Sequence, residues 1–518
     1  MKAAWSRALL AAAFAGIAFL YYYRLGDAPI YLAHDEAMFG VVSHEIAWHA
    51  RDVDGRFLPL MMPMSGAYWN MPAHVYLTAL FIRALGTTET AIRASSATAS
   101  LAGIILIYMF CRRAFQHRGY AMLAAGMLAL SPAFFLDSRL STDHHYPVIA
   151  IGLWLICLAR FFEDPERDVW LALAGLSLGA GVYTYGASVL LMPIYVALTL
   201  LLLLRMKVYR ARAHGVLVAA FALCALPFAI FLFAHPGYIG DVANMYKVYD
   251  AKRFSALQGA HEILGWTSLG ARADVYFSYF NPSMLFFSGA GSLLQSTRNA
   301  GFFLVPFVIL LPAAIIYILK RNVEWFAWLA LVAFFATPLA ASIVDERGAV
   351  QRVMSLAPFG AILVAYLVMR VSSDRRVWPR AAVWALVAVM PVAFTRFYLD
   401  YLGDYRQRSS FYFEQNVRGA LETAIDEARA KGTPDVCLSR GINPLVDWYW
   451  KFYVRKHDAE LLDTRTMYFD NPGDARNKCA PGAVLVTEIA TCEQIAAMRV
   501  PAPKKILEPG GLPSFCVW

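Results

Sequence analysis

The chain alternates long apolar runs with short basic turns, and that alternation limits what it can fold into more than any other feature. Runs such as Ala99–Phe110, Gly152–Leu158 and Val196–Leu204 carry no charge. A bilayer core takes about 20 apolar residues per helix. Over 518 residues, 59% are hydrophobic and only 16% charged, against roughly 25% charged in a soluble globular chain. The composition therefore implies an integral membrane protein. Spans are expected near 8–23, 91–110, 120–136, 146–162, 169–186, 188–204, 214–234, 300–319, 324–342, 353–369 and 381–398, about eleven in all. The first apolar stretch ends in Tyr21-Tyr22-Tyr23-Arg24. That is an aromatic interface belt rather than a signal-peptide cleavage site, so it reads as a retained span.

Charge sets the orientation. With the N-terminus inside, the short segments 1–8, 111–119, 160–168, 205–213, 320–322 and 370–380 face the cytoplasm and hold 17 Lys and Arg in 49 residues. The short segments on the other side, 137–145, 183–188 and 342–352, hold 3 in 26. This is the positive-inside bias, and it accounts for the net charge of +9 without invoking nucleic acid. Met71–Leu85 is apolar but short and begins Met71-Pro72. Were it a span, the basic turn at 111–119 would face outward, so it is read as a juxtamembrane helix.

An odd number of spans puts the tail outside the cytoplasm. Residues 399–518 are polar and numerous enough for a small domain. Helical patterns at Glu414–Ala430 and Pro444–Arg455, with strand-like runs at Asp435–Leu438 and Ala483–Thr487, predict an α/β domain. It carries Cys437, Cys479, Cys492 and Cys516. Four cysteines confined to an outer domain fit up to two disulfides, with three pairings open. Residues 1–398 form the membrane domain, with large outer loops at 24–90 and 235–299 where function is expected to lie.

Four clusters on the outer side could carry chemistry. The first is His34-Asp35-Glu36, a few residues beyond the first span. Adjacent carboxylates at headgroup depth are costly unless hydrated, paired or metal-bound, although Asp35 could simply cap a helix. The second runs from Asp137-Ser-Arg139 to Asp143-His144-His145. Asp143 and His144 are candidate ligands for a divalent metal, with a helix cap as the structural alternative; adjacent helical residues point about 100° apart, so all three cannot face one ion unless the backbone is irregular. The third is Asp345-Glu-Arg347 to Arg352, where Arg347 and Arg352 lie outside against the general bias. With Arg272 from the second outer loop they could hold a phosphate. The fourth is the hairpin Tyr183-Thr-Tyr185, an interface belt or a sugar-stacking surface. Phosphate-cradling glycine loops, zinc-protease motifs and internal repeats are not evident.

The order of these elements resembles the protein O-mannosyltransferase and aminoarabinose transferase group of GT-C glycosyltransferases, family 39 and its bacterial relatives. The resemblance is carried by His34-Asp35-Glu36, Asp54-Gly55-Arg56-Phe57-Leu58-Pro59, Tyr68-Trp69-Asn70-Met71-Pro72, Gly86…Glu89…Arg93-Ala-Ser95 and Cys111-Arg-Arg-Ala-Phe115. Ser138-Arg139, Tyr183-Thr-Tyr185, Tyr279-Phe-Asn-Pro-Ser283 and Arg352…Pro358 continue it to about residue 370. It implies a mainly α, polytopic GT-C membrane protein with the small α/β domain outside. It also implies an inverting enzyme of a bacterial inner membrane, moving a sugar from a polyprenyl-phosphate donor to a lipid, glycan or protein acceptor on the periplasmic side. Asp35 would be the catalytic carboxylate and Glu36 its support; Arg347, Arg352 and Arg272 would hold the donor phosphate; His34, Arg139, Tyr183 and Tyr185 would contact acceptor or sugar. The Glu-Lys-Pro-Pro common in aminoarabinose enzymes is Trp69-Asn70-Met71-Pro72 here, which counts against that particular reaction. A flippase of lipid-linked sugars is the main alternative, with a purely structural assembly protein behind it. Transporters place charges at the bilayer midplane, whereas these clusters sit at the outer interface.

Overall fold

A computed structural model describes residues 2–64, 69–496 and 502–518; Tyr68 of the aromatic/proline element lies outside them. A helix occupies at least part of each expected span: Lys2–Tyr22, Glu89–Ala114, Arg118–Ala129 with Pro132–Asp137, Pro147–Glu163, Val169–Gly181, Ser188–Arg205, Ala211–Ala234, Phe307–Leu319, Trp325–Ala341, Leu356–Ser372 and Val377–Leu402. By length and composition, Glu89–Ala114, Ser188–Arg205, Ala211–Ala234 and Val377–Leu402 suffice to cross a membrane. Lys2–Tyr22 is 21 residues long, and the remaining helices that match expected spans are shorter than all of these.

Burial sorts these helices. Leu356–Ser372 is buried from Leu356 to Val368 without a break, as an all-round apolar helix must be when it sits at the centre of a bundle. Ala211–Ala234 and Val377–Leu402 are peripheral and turn apolar side chains outward, with Phe233 88% and Val392 70% exposed. In water such faces would drive association; in lipid they cost nothing. Val169–Gly181 packs closely against Ala211–Ala234 through Gly175 and Gly179. A Cβ on Gly175 would lie 2.4 Å from the Leu217 carbonyl oxygen, and one on Gly179 2.6 Å from Cys224 Cβ. This is the small-xxx-small device by which membrane helices gain contact without a hydrophobic drive.

Outside the bundle, residues 24–90 form two helices, His34–His49 and Pro72–Leu85, the second starting on a proline that suits the first helical turn. A two-strand ribbon, β1 (Met62–Pro63) and β2 (Trp69–Asn70), precedes it. The C-terminal sheet contains β3 (Val436–Ser439), β4 (Thr466–Phe469), β5 (Val484–Glu488), β6 (Lys504–Leu507) and β7 (Pro513–Val517) in the order β4-β3-β5-β7-β6. The first three are parallel, and β7 pairs antiparallel with β5 and β6. Helix Val417–Lys431 packs on β5 and β7, and helix Val446–Lys456 packs against that helix. Cys437 pairs with Cys479 and Cys492 with Cys516. The tail pattern anticipates β3, β5 and both helices to within a few residues; β4 and β6, partly exposed, and β7, buried at four of five positions, show no alternation strong enough to be read alone.

Helix Val446–Lys456 lies on helix His34–His49. Arg455 bonds Glu45 (Nη2–Oε1 2.7 Å), Lys456 bridges Glu89 and Glu422 (2.8 and 2.7 Å), and Tyr449 donates to the Leu32 carbonyl (3.1 Å). The C-terminal sheet domain is thus clamped to the segment that presents Asp35.

Candidate active site

Two buried arginines build that segment. The Arg139 guanidinium donates to the carbonyls of Leu20 (3.1 Å), Tyr21 (2.7 Å), Tyr23 (2.8 Å) and Ala28 (3.1 Å) and to the Tyr401 hydroxyl (3.1 Å). It satisfies carbonyls at the C-terminal end of the first helix, where orphan acceptors and the helix dipole favour a cation. Arg93 donates to the carbonyls of Leu25, Pro29 and Tyr31, and to both carboxylate oxygens of Glu36 (2.8 and 3.0 Å). The pair is fully buried. Glu36 also accepts from the Ala33 and Ser141 amides (3.0 and 2.9 Å). Such a pair is stable only when its remaining hydrogen-bonding positions are met, and here they are. The helix begins at His34 with Ala33 as its N-cap, so Asp35 lies in the first turn rather than capping it. The acidic pair therefore divides: Glu36 turns inward, and Asp35 lines two adjoining cavities.

The first cavity, about 190 Å³, is lined by His34, Asp35, Asp137, Thr142, His144, Gln295 and Gln351 among others. The second, about 240 Å³, is lined by Asp35, Phe39, Thr142, Asp143, His144, Tyr185, Tyr246, Gln351 and Arg352. Asp35, Thr142, His144 and Gln351 form the common wall.

The turn after helix Pro132–Asp137 is irregular up to Pro147, and that irregularity lets both histidines fold back on Asp137. His144 Nδ1 lies 3.0 Å from Asp137 Oδ1 and His145 Nδ1 2.8 Å from Oδ2. His145 Nε2 faces the Ser96 carbonyl at 3.2 Å. Burial alone would raise the Asp137 carboxyl, but the two imidazoles outweigh it and hold it well below the usual carboxylate range. Burial alone would lower His144, and the Asp137 carboxylate reverses that and raises it. Burial pushes the Asp143 carboxyl up to about 7, with Asp35 adding and His144 opposing. Asp35, Asp143 and His144 share the second cavity, yet among the described residues no three His, Cys, Asp or Glu side chains are grouped to hold a metal ion. His144 has its Nδ1 engaged by Asp137.

The second cavity is also lined by Arg352, its guanidinium 4.8 Å over the Tyr246 ring and its Nε bonded to Glu346 (2.7 Å). Tyr185 packs edge-on to His144, centroids 5.2 Å apart. The other residues expected at the site stand elsewhere. Arg347 is exposed and paired with Asp274 (2.6 Å). Arg272 bonds the Ile343 and Val248 carbonyls. Tyr183 bonds the Cys224 carbonyl and the Phe228 amide (both 3.0 Å), tying its hairpin to helix Ala211–Ala234. Arg139 serves the first helix as described. None of these four lines either cavity. His34 stands between Asp35 (3.4 Å) and Glu414 (3.9 Å). Tyr246, Gln295, Gln351 and Glu414 are brought in by folding alone, whereas Asp137, seven and eight residues before the histidines, had a local signal.

The family model of dolichyl-phosphate-mannose-protein mannosyltransferases matches residues 70–231. Superposition on ArnT from Cupriavidus metallidurans bound to undecaprenyl phosphate gives a TM-score of 0.64 at 14% identity, covering 100% of this chain and 98% of that one. The fold is that of a GT-C glycosyltransferase. The same GT-C scaffold is shared, at TM-score 0.51 and 15% identity over 99% of this chain and 74% of the other, with oligosaccharyltransferase AglB from Archaeoglobus fulgidus in complex with an inhibitory peptide and a dolichol-phosphate. Dolichyl-phosphooligosaccharide-protein glycotransferase 3 of Archaeoglobus fulgidus is 24% identical over 237 residues, 42% of this chain. The chain spans about a quarter (26%) of the length of that curated relative. A GT-C fold built of membrane-type helices is that of a multi-pass membrane protein.

Proposed function

We propose that this GT-C protein is an inverting glycosyltransferase that moves a sugar from a polyprenyl-phosphate donor to a lipid, glycan or protein acceptor at the outer face of a bacterial inner membrane. The observation that carries the reading is that one cavity is lined by both a carboxylate, Asp35, and a cation, Arg352. The solved GT-C structures with undecaprenyl phosphate and dolichol-phosphate support a lipid phosphate as the group that enters.

The acceptor hydroxyl attacks the anomeric carbon while the bond from that carbon to the phosphate oxygen breaks, its electron pair leaving with the phosphate. Asp35 takes the hydroxyl proton. Arg352 neutralises charge where it develops, on the leaving lipid phosphate. A single displacement inverts the centre and needs no covalent glycosyl-enzyme. Tyr185 lines the cavity as a contact for the sugar, and His34 lies beside Asp35 as a contact for the acceptor. In this reading residues 1–398 are the catalytic membrane domain with about eleven spans, and residues 399–518 lie outside the cytoplasm. The positive-inside bias of the short turns supports that orientation, and the two cystine bridges support an oxidising outer compartment.

The test is transfer of radiolabelled sugar from polyprenyl-phosphate donors to a membrane lipid and protein extract, wild type beside Asp35→Asn at matched protein levels. Loss of transfer by about 10²-fold or more in Asp35→Asn is expected. Equal transfer by the two proteins rejects Asp35 as the base. No transfer from any donor by wild type, with lipid-linked sugar scrambled across proteoliposomes, replaces the enzyme with a flippase.

A further inference from the structure

Arg352 does not face its cavity alone. Its Nε and Nη2 both donate to one carboxylate oxygen of Glu346, the Nε bond 2.7 Å long. Gln351, also on the cavity wall, reaches the other oxygen (Nε2–Oε1 3.5 Å). A guanidinium presents its donors as a planar fork, and carboxylate and phosphate take the same fork. A lipid phosphate that takes the Nε/Nη2 edge must displace Glu346 from it.

The mobility of the two partners differs. The Glu346 backbone is anchored: its carbonyl accepts from the Tyr279 hydroxyl (3.1 Å), Arg347 pairs with Asp274, and the Gly348 amide donates to Ser278 (3.1 Å). Its side chain is 45% exposed, against 15% for Arg352. The carboxylate can thus rotate into solvent at small cost, whereas the guanidinium is held over Tyr246. Glu346 is not among the residues lining the cavity; it reaches Arg352 from the rim.

We infer that Glu346 is a built-in competitor for the phosphate: it yields Arg352 when the lipid phosphate enters and retakes it as the phosphate leaves, setting how tightly donor and product are held. This rests on the reading of the second cavity as the phosphate site. Such a device suits a reaction whose product, a polyprenyl phosphate, keeps the very group by which the donor is recognised and would otherwise block the next turnover.

The experiment measures binding of farnesyl phosphate, a short polyprenyl phosphate, to the purified full-length protein in detergent by calorimetry. It compares wild type, Glu346→Gln, Glu346→Ala, Arg352→Gln and the double variant Glu346→Gln/Arg352→Gln, each checked for unchanged thermal unfolding. Glu346→Gln and Glu346→Ala should both tighten binding by about fivefold, the scale of one partly exposed ion pair. Arg352→Gln should weaken it by about tenfold or more, and Glu346→Gln should add nothing in that background. In turnover, farnesyl phosphate should inhibit Glu346→Gln more strongly than wild type. If Arg352→Gln weakens binding while both Glu346 variants weaken it or leave it unchanged, Glu346 merely positions the arginine and this inference fails while the phosphate site stands. If Arg352→Gln binds as wild type, both fail together.

Discussion

At the scale of single residues, three charged side chains singled out by position prove to have different work. Glu36 and Asp35 are neighbours, yet Glu36 is fully buried against Arg93 and Asp35 faces the cavities. The two positions should separate cleanly in experiment. Arg93→Met leaves a buried carboxylate and three carbonyls without their donor, and should cost about 3–5 kcal/mol, read as a large drop in the thermal unfolding temperature in detergent. Asp35→Asn should leave that temperature within a degree or two while removing transfer; equal destabilisation by both would mean that Asp35 is structural. Arg139 resembles a substrate contact in sequence because it is an arginine on the outer side. Its donors are occupied by five acceptors, four of them backbone carbonyls more than 100 residues away in the chain, and no local pattern encodes such a partnership.

Among the elements, apolar runs predict where helices form but not which faces meet. Gly175 and Gly179 sit four apart on one helix face, where addition of a Cβ at Gly175 collides with the Leu217 carbonyl. Gly175→Leu should therefore separate helices Val169–Gly181 and Ala211–Ala234 and destabilise by about 1–3 kcal/mol or more. Gly126, on helix Arg118–Ala129, has nothing within 4 Å of its would-be Cβ, so Gly126→Ala should be neutral or stabilise by about 0.5–1 kcal/mol. Thermal unfolding of the two variants in the same detergent checks both; matching losses would show that the glycine face is not the contact. The hairpin Tyr183-Thr-Tyr185 splits in the same manner. Tyr185 lines the cavity and Tyr183 pins the hairpin to its neighbour.

For the molecule as a whole, the C-terminal sheet domain is positioned over Asp35 by ionic contacts with helix His34–His49. Burial would raise the Glu45 carboxyl, but Arg455 outweighs it, and the net shift is below its ordinary value of 4.5. A lowered carboxylate pKa adds stability that is fully present above the unfolded value and is lost as pH falls through the folded one. The Glu45 contribution to docking of helix Val446–Lys456 should accordingly hold down to about pH 4.5 and fade below it, while His44, held down to about 4 by burial and by Arg455, adds a loss that begins as pH falls below its ordinary 6.5. Arg455→Ala should loosen the docking at neutral pH, by about 1–2 kcal/mol. Hydrogen exchange of that helix across pH, corrected for intrinsic rates, reads both. Protection that is independent of pH below 4.5 and of Arg455 would assign the docking to the apolar contacts around Tyr449 and Phe452 instead.

By itself the sequence determined the class of protein, the segments that become helices in the bundle, the short helix Pro72–Leu85, and the main helices and central strands of the tail. All of these follow from periodicity and from the cost of exposing backbone or charge to lipid, which act over a few neighbouring residues. It also singled out three of the stretches that line the two cavities, those around Asp35, His144 and Arg352. Only the tertiary structure decided which side chain in each stretch faces the cavity, because that depends on where distant acceptors lie. Arg93 selects Glu36 over Asp35, Asp137 gathers two histidines, and the rim carboxylate of Glu346 finds Arg352, each through geometry that exists only once the chain has folded.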